Sequence, residues 1–247
     1  MSKALQIIYG VHAVRAMLQR HPVRIIVIKL AERRDDPRVR EIEELARKQS
    51  RSVQRVSNEA LKHQLGDVAH QGVVAEIEPL PPWTEDDLVS ALEKATNPLL
   101  LVLDGVQDPH NLGACLRTAD ACGALAVVVP KDRAVQLNPT VRKVAVGAAE
   151  TTPVVAVTNL VRTLKLLKEA GVWIVGADAD APKRAHEVDL KGAIALTLGA
   201  EGAGLRQLTR QTCDFMVRLP QLGAVESLNV SVAAGMLLYE VVRQRGY

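Results

Sequence analysis

The stretch Leu99–Pro130, LLLVLDGVQDPHNLGACLRTADACGALAVVVP, constrains this chain most. Leu99–Leu103 is an apolar run with no alternation, the pattern of a strand covered on both faces in a parallel α/β sheet. The run stops at Asp104-Gly105, and Gln107–Asn111 reads as a turn. Leu112, Cys115, Leu116, Ala119 and Cys122 then recur at three- and four-residue steps and predict a helix with one apolar face, closed by Gly123. Ala126–Val129 is a second apolar strand. Strand, polar loop, helix, strand places the loop after the first strand where ligands of open α/β sheets bind. Asn111 stands at or next to the predicted helix start, and Arg117 lies six residues on in an otherwise apolar helix. Two readings are open. Asn111 is an N-cap and Arg117 a snorkelling surface arginine, or both belong to a site at the strand's end.

The pattern on either side is also alternating α/β. Before it, Val11–Gln19, Arg38–Gln49 and a segment from Asn58 read as helices, and Arg24–Leu30, Ser52–Val56 and Gly72–Ile77 as strands. Glu78–Pro98 holds four prolines and the acids Glu85, Asp86 and Asp87, which favour an extended connection, with Asp86–Ala95 able to form a short helix. The domain organisation expected is therefore 1–78, a linker 79–98, and 99–247. In the last part, helices are expected from Asn138-Pro139 through Ala148, over Leu160–Ala170 and over Asn229–Arg243, and strands over Val172–Gly176, Ile194–Leu198 and Val217–Pro220, with Asp178–Leu190 a polar loop.

Charge is distributed unevenly. Residues 1–78 carry 14 basic and 10 acidic residues, residues 79–98 one and four, and residues 99–247 16 and 14. The basic excess at the N-terminal end permits an RNA partner. Its arginines are interleaved with acids, so they fit a solvated face as well as a phosphate-tracking one. Aromatic residues are only 2% of the chain, which excludes an RNA grip built mainly on stacking. Cys115, Cys122 and Cys213 form no CxxC pair and fit a reduced, cytoplasmic setting. No signal peptide is visible and no apolar run reaches membrane-spanning length, so no membrane partner is expected. His12, His63 and His70 lack metal-ligand spacing, and no metal is expected.

Gly199-Ala200-Glu201-Gly202-Ala203-Gly204 follows the Ile194–Leu198 strand directly. Such a turn lets a ligand approach the backbone closely. It is not GxGxxG, so a Rossmann-type dinucleotide site is poorly supported. Glu201 suits a cationic or hydroxyl-bearing ligand better than a pyrophosphate. Ser227 and Asn229 stand at the start of the last helix, where capping is their common role.

The run LDGVQDPHNLGACLRTADACGA resembles the first motif of the SpoU-type (SPOUT) RNA 2′-O-ribose methyltransferases. LTLGAEGAGL (Leu196–Leu205) and LPQLGAVESLNVSVAAGMLLYE (Leu219–Glu240) resemble their second and third motifs, in the family's order and with family-like spacing. IYGVHAV and HQGVVAEI resemble the N-terminal substrate-binding domain of the branch that methylates 23S ribosomal RNA, a domain similar to ribosomal protein L30e. The resemblance thus spans nearly the whole chain. It implies a small L30e-like α/β domain followed by an α/β-knot methyltransferase domain with a deep trefoil knot. It implies S-adenosyl-L-methionine as cofactor, a guanosine in the peptidyl-transferase region of 23S ribosomal RNA as substrate, and a homodimer. By position it places Gly199, Leu219 and Leu228 at the cofactor, with Ala200 and Pro220 nearby. It assigns deprotonation of the ribose hydroxyl to Arg117 assisted by an RNA phosphate, with Asn111, Glu201, Ser227 and Asn229 as the other polar active-site positions. A guanidinium rarely gives up its proton, so a charged Arg117 that holds the phosphate and stabilises the developing alkoxide is the alternative form of that role. A transfer-RNA methyltransferase of the same superfamily and a non-catalytic RNA-binding protein are the rival readings.

Overall fold

A computed structural model describes residues 5–66, 68, 70–79, 82–224 and 227–247. Leu80 and Pro81 of the expected linker, Asp67 and Ala69 of the N-terminal part, and Val225 and Glu226 of the third motif lie outside the described residues. The chain divides into two compact units, residues 1–81 with 146–151, and residues 82–145 with 152–247.

The first unit carries β1 (Gln6–Tyr9), α1 (Val11–Arg20), β2 (Ile25–Ala31), α2 (Pro37–Lys48), β3 (Ser52–Val56), α3 (Asn58–Leu65) and β4 (Val73–Ile77). Its sheet runs β1-β4-β2-β3, mixed in direction. Val14, Met17 and Leu18 of α1 and Val39, Ile42 and Ala46 of α2 pack with Ile28, Leu30, Ala75 and Ile77 in one aliphatic core. Asp36 caps α2, accepting from the N–H groups of Arg38 and Val39, with Pro37 in the first turn. Glu150 belongs to this unit: it accepts from Gln6 Nε2 at 2.8 Å and faces Arg24 at 3.9 Å, both side chains of that ion pair being buried.

The second unit holds α4 (Glu85–Leu92), β5 (Leu99–Asp104), α5 (Pro109–Ala121), β6 (Ala126–Pro130), α6 (Pro139–Ala145), β7 (Val154–Val157), α7 (Leu160–Glu169), β8 (Trp173–Ala177), β9 (Lys183–Arg184), β10 (Ile194–Gly199), α8 (Gln207–Thr212), β11 (Phe215–Arg218) and α9 (Val230–Gln244). All seven strands are parallel, in the order β7-β6-β5-β10-β8-β11-β9. Every residue of β5 is buried, which is why its sequence shows no alternation. Leu100 and Val102 pack with Leu88 and Leu92 of α4 and Leu160, Leu164 and Leu167 of α7 on one face. On the other side, α5 packs on α6, α9 and β6, and α9 packs on β10. The two buried leucines of α4 therefore make residues 85–92 part of the second unit's core. The chain visits β5, β6 and β7 on one side, crosses back to β8, and then inserts β10 beside β5. That reversal opens the crevice at the C-terminal ends of β5 and β10.

Several elements differ from the pattern. The Gln107–Asn111 turn is shorter than expected, because α5 starts at Pro109. Asp108 is its N-cap, accepting from His110 N at 2.9 Å, and a proline tolerates the first helical position because no partner is needed for its missing N–H. Asn111 is therefore inside the first turn and is not the cap. The helix from Pro139 stops at Ala145, before a left-handed Gly147 and a 3₁₀ turn over Ala148–Glu150. The last short strand is Phe215–Arg218, earlier than Val217–Pro220. The expected polar loop contains β9. No described helix is long and apolar enough to cross a membrane.

Candidate active site

Three segments distant in sequence meet where β5 and β10 end. Gly199 is paired with Asp104 in the parallel register, so the turn after β10 begins beside the loop after β5. That turn closes on itself: Gly204 N donates to Ala200 O at 2.9 Å, and the two residues form a bridge. A Cβ on Gly199 would lie 1.9 Å from the Gly204 carbonyl carbon, 2.0 Å from its oxygen and 2.3 Å from Leu205 N. Glycine is thus demanded by the chain's own backbone rather than by a ligand's approach, which corrects the reason the pattern offered.

Glu201 projects from this turn into a polar network. Its Oε1 accepts from Asn111 Nδ2 at 3.0 Å, from Asn229 Nδ2 at 2.7 Å and from Val230 N at 3.4 Å. Asn229 Nδ2 also donates to Asn111 Oδ1 at 2.9 Å. Asn229 does cap α9, since its Oδ1 accepts from Ser231 N and Val232 N. Its amide divides the work: the oxygen holds the helix start and the nitrogen holds the network. A carboxylate at the N-terminal end of α9 also opposes the helix dipole favourably.

Beside this turn lies a cavity of ≈ 370 Å³, within the size range of small-molecule sites. Gly199, Ala200, Glu201, Leu219, Ser227 and Leu228 line it, joined by Leu198, Val217 and Val230 and by Asp178 and Asp180 from the loop after β8. No lysine, arginine or histidine is among the lining residues. The walls are therefore apolar with a carboxylate edge, a composition that suits an apolar ligand bearing positive charge and repels a polyphosphate. Asp178 is partly neutralised by an ion pair with Arg210. Pro220, Asn111, Asn229 and Arg117 lie outside this lining.

Ser227 makes no cap; it is exposed on the cavity wall. Arg117 is exposed on α5, about 9 Å along the helix axis from Asn111, and its guanidinium has no hydrogen-bond or ion-pair partner among the described residues. The structure thus unites Asn111, Glu201 and Asn229, puts Ser227 at the cavity, and gives Arg117 no hydrogen bond or ion pair to either among the described residues.

Three acidic contributors were not singled out from the pattern. Asp178 and Asp180 sit in a loop without periodicity, and only the pairing of β8 between β10 and β11 brings them to the cavity. Asp104 is fully buried and accepts from Arg206 N at 3.1 Å, with Arg206 Nε 3.2 Å from its other oxygen. This pair ties the far end of the glycine-rich turn to β5. An acid closing an apolar strand was the available clue.

Comparisons with known proteins place the chain in a family. The SpoU rRNA Methylase family matches residues 98–239. The family described as RNA 2′-O ribose methyltransferase substrate binding matches residues 7–83. A relative in Pseudomonas aeruginosa, named 23S rRNA (guanosine-2′-O-)-methyltransferase RlmB, is 54% identical over 239 residues, covering 96% of this chain and 96% of its own length. Its namesake in Pectobacterium atrosepticum is 49% identical over 241 residues, covering 98% of this chain and 99% of its own. Among solved structures, the SpoU methyltransferase AviRb of Streptomyces viridochromogenes in complex with AdoMet superposes with a TM-score of 0.75 at 25% identity, over 98% of this chain and 90% of that one. An RNA 2′-O ribose methyltransferase superposes with the same TM-score at 27% identity, over 99% and 90%. With both family matches in chain order and the three motifs converging on one crevice, this chain belongs to the SpoU rRNA methylase family.

Proposed function

We propose that this chain transfers the methyl group of S-adenosyl-L-methionine to the 2′-hydroxyl of a guanosine in 23S ribosomal RNA, in the peptidyl-transferase region. Relatives named 23S rRNA (guanosine-2′-O-)-methyltransferase match it over nearly its whole length at about half identity. The observation that carries the reading is the Asn111–Glu201–Asn229 network at the edge of a cavity built to hold a cation.

S-adenosyl-L-methionine, when bound, supplies an electrophilic methyl on a positively charged sulfur. Gly199, Ala200, Leu219 and Leu228 would hold it, with Pro220 shaping the loop behind Leu219. The carboxylates of Glu201, Asp178 and Asp180 fit its charge. The protein's share of the work is alignment, which in favourable model systems supplies roughly 7–11 kcal/mol. Asn111 and Asn229 fix the Glu201 carboxylate, leaving its second oxygen to face a ligand. Ser227 offers a hydroxyl at the cavity wall to the ribose. Arg117, charged and free of partners, binds the RNA phosphate and stabilises the alkoxide as the 2′-proton leaves.

The active species is a homodimer in this reading. Val232, Met236 and Tyr239 of α9, at spacings of four and three, are 50%, 47% and 65% exposed and form an apolar stripe. Thr118, next to Arg117, lies against Gly235 of the same helix. A second copy covering the stripe brings Arg117 to the shared face. The first unit binds the ribosomal RNA, the C-terminal segment threads the family's trefoil knot, and the enzyme works in the cytoplasm.

The test is transfer of labelled methyl to unmodified 23S ribosomal RNA, with the product mapped to one nucleotide. Label on a guanosine 2′-oxygen is expected, and its loss with Arg117→Ala. Label on transfer RNA alone keeps the chemistry and overturns the substrate. Tight RNA binding without transfer overturns the enzyme reading.

A further inference from the structure

The loop leaving β6 is held more firmly than a surface connection needs. Gln136 Nε2 lies within hydrogen-bonding distance of three carbonyls, those of Pro130, Lys131 and Ala134, at 2.9, 3.4 and 3.3 Å. Val135 N donates to Val106 O at 2.9 Å, pinning the loop to the segment after β5. At its tip, Arg133 is held at φ +56°, in the left-handed region that a residue with a Cβ avoids. A strained conformation persists where the surroundings over-determine it, and such positions gather at functional sites.

What the loop displays is charge. Lys131, Asp132 and Arg133 are all exposed, and the Lys131 ammonium and Arg133 guanidinium have no partner among the described residues. Arg206 comes to the same place. A Cβ on Gly105 would lie 3.2 Å from Arg206 Nη2 and 3.7 Å from the Arg133 carbonyl oxygen, so both residues close over the end of β5. Asp104 balances Arg206 from inside: its side chain is 0% exposed while that of Arg206 is 47% exposed. Toward solvent Lys131, Asp132, Arg133 and Arg206 together present three cations and one carboxylate. The group stands at the end of β5, and Asp104 of that strand is in register with Gly199, where the turn bearing Glu201 begins.

We propose that Lys131, Arg133 and Arg206 form a phosphate-binding rim along which the RNA strand carrying the target ribose lies as it enters the site. The proposal rests on the RNA methyltransferase reading and adds a surface to it. The three cations line no part of the cavity, so they are not placed to hold the cofactor. A polyanionic strand already engaged at its ribose gains from each contact, because the later contacts form within one complex. Arginines so placed release counterions and fix register without reading bases.

The test is Arg133→Gly. Glycine adopts a positive φ freely, so the variant keeps or raises its melting temperature. Filter binding of a 23S ribosomal RNA fragment over a salt series, methyl-transfer kinetics and calorimetric titration of S-adenosyl-L-methionine are measured together. The expected result is RNA binding weaker by about tenfold and a log Kd against log salt slope reduced by about 0.7–1, with kcat and cofactor affinity unchanged. Lys131→Gln lowers the slope again when combined with it. Unchanged RNA affinity and slope overturn the rim. So does a fall in melting temperature together with cofactor affinity, which marks a structural role for Arg133. If the wild type transfers no methyl to any RNA, the parent reading fails, and equal RNA binding by wild type and variant then overturns the rim as well.

Discussion

Gly199→Ala is the substitution whose outcome the geometry constrains most. A Cβ there meets backbone only, 1.9 Å from the Gly204 carbonyl carbon, so no side chain can swing aside. Carbon atoms settle at about 3.5–4.0 Å, so Gly204 must retreat by roughly 1.5–2 Å. That breaks the Gly204-to-Ala200 bond and releases Glu201 from the three hydrogen bonds to its Oε1. Bonds to an exposed carboxylate net about 0.5–1.5 kcal/mol each, so the loss is about 2–4 kcal/mol. For a unit of this size that lowers the melting temperature by roughly 5–15 °C. A shift beyond 1 Å at an aligning group costs about a hundredfold in rate or more. The matched control is Gly202→Ala in the same turn. Gly202 also lines the cavity but has φ +74° and no protein atom within 4 Å of where a Cβ would go, so its alanine costs about 1–2 kcal/mol of backbone strain and moves no protein group. Calorimetric titration of S-adenosyl-L-methionine, thermal melting and methyl transfer are read on both. Gly199→Ala is expected to lose cofactor affinity by about a hundredfold, and Gly202→Ala to stay within about threefold, where tenfold corresponds to about 1.4 kcal/mol. Cofactor binding and transfer by Gly199→Ala within about threefold of wild type would refute the reasoning.

Arg117→Ala should lower kcat by about 10²–10³ while melting temperature and cofactor affinity hold, because the side chain is exposed and unpartnered; loss of all three together counts against a role in the reaction. Asn229→Asp keeps the acceptor that caps α9 but replaces the donor with a second carboxylate against Glu201. Its melting temperature should stay near wild type at low pH while transfer falls as pH rises, and a pH–rate profile identical to wild type counts against the network. Met236→Asp should halve the mass seen by sedimentation equilibrium, and an unchanged mass removes α9 from the dimer face. Arg243, with help from Gln244, holds the Glu240 carboxyl down at about 2. A depressed carboxylate stabilises the fold above its unfolded pKa, so this contribution is present above pH about 4.5 and lost as pH falls toward 2; Glu240→Gln should flatten the stability curve in that window, and an unflattened curve excludes the pair as its source.

What the residues reveal in one dimension follows from the range of the forces involved. β5 and β6 are legible because burial on both faces writes itself as an unbroken apolar run, and α2, α7 and α9 because one buried face recurs with the helical period. The start of α5 is misread because Pro109 opens a helix as readily as it ends one, and only the Asp108 side chain accepting from His110 N decides between them. β7, β9 and α8 are too short for any period to show. The motifs name Asn111, Glu201 and Asn229, yet their contact spans 90 and 118 residues and depends on β10 being inserted beside β5. Asp178 and Asp180 carry no local signal, and nothing in the spacing around Arg117 shows that it stands apart from the residues grouped with it.

The separation of Arg117 from the network has a mechanistic consequence. Glu201 belongs both to the cavity wall and to the network, through a turn that Gly199 alone permits. In the proposed function, cofactor placement and network order share one mechanical element, and substitutions in 199–204 should move both together. Among the described residues Arg117 makes no hydrogen bond or ion pair with that element and does not line the cavity, so removal of its charge is expected to leave the cavity in place. In the proposed reaction between a sulfonium and a hydroxyl this division has a use. A cation that stabilises the oxyanion would, among the cavity's carboxylates, be neutralised by them and would repel the cofactor's own charge. In the proposed reaction, holding the arginine six residues beyond Asn111 on α5, with no ion pair to Glu201, Asp178 or Asp180, keeps both electrostatic environments intact until the RNA phosphate joins them.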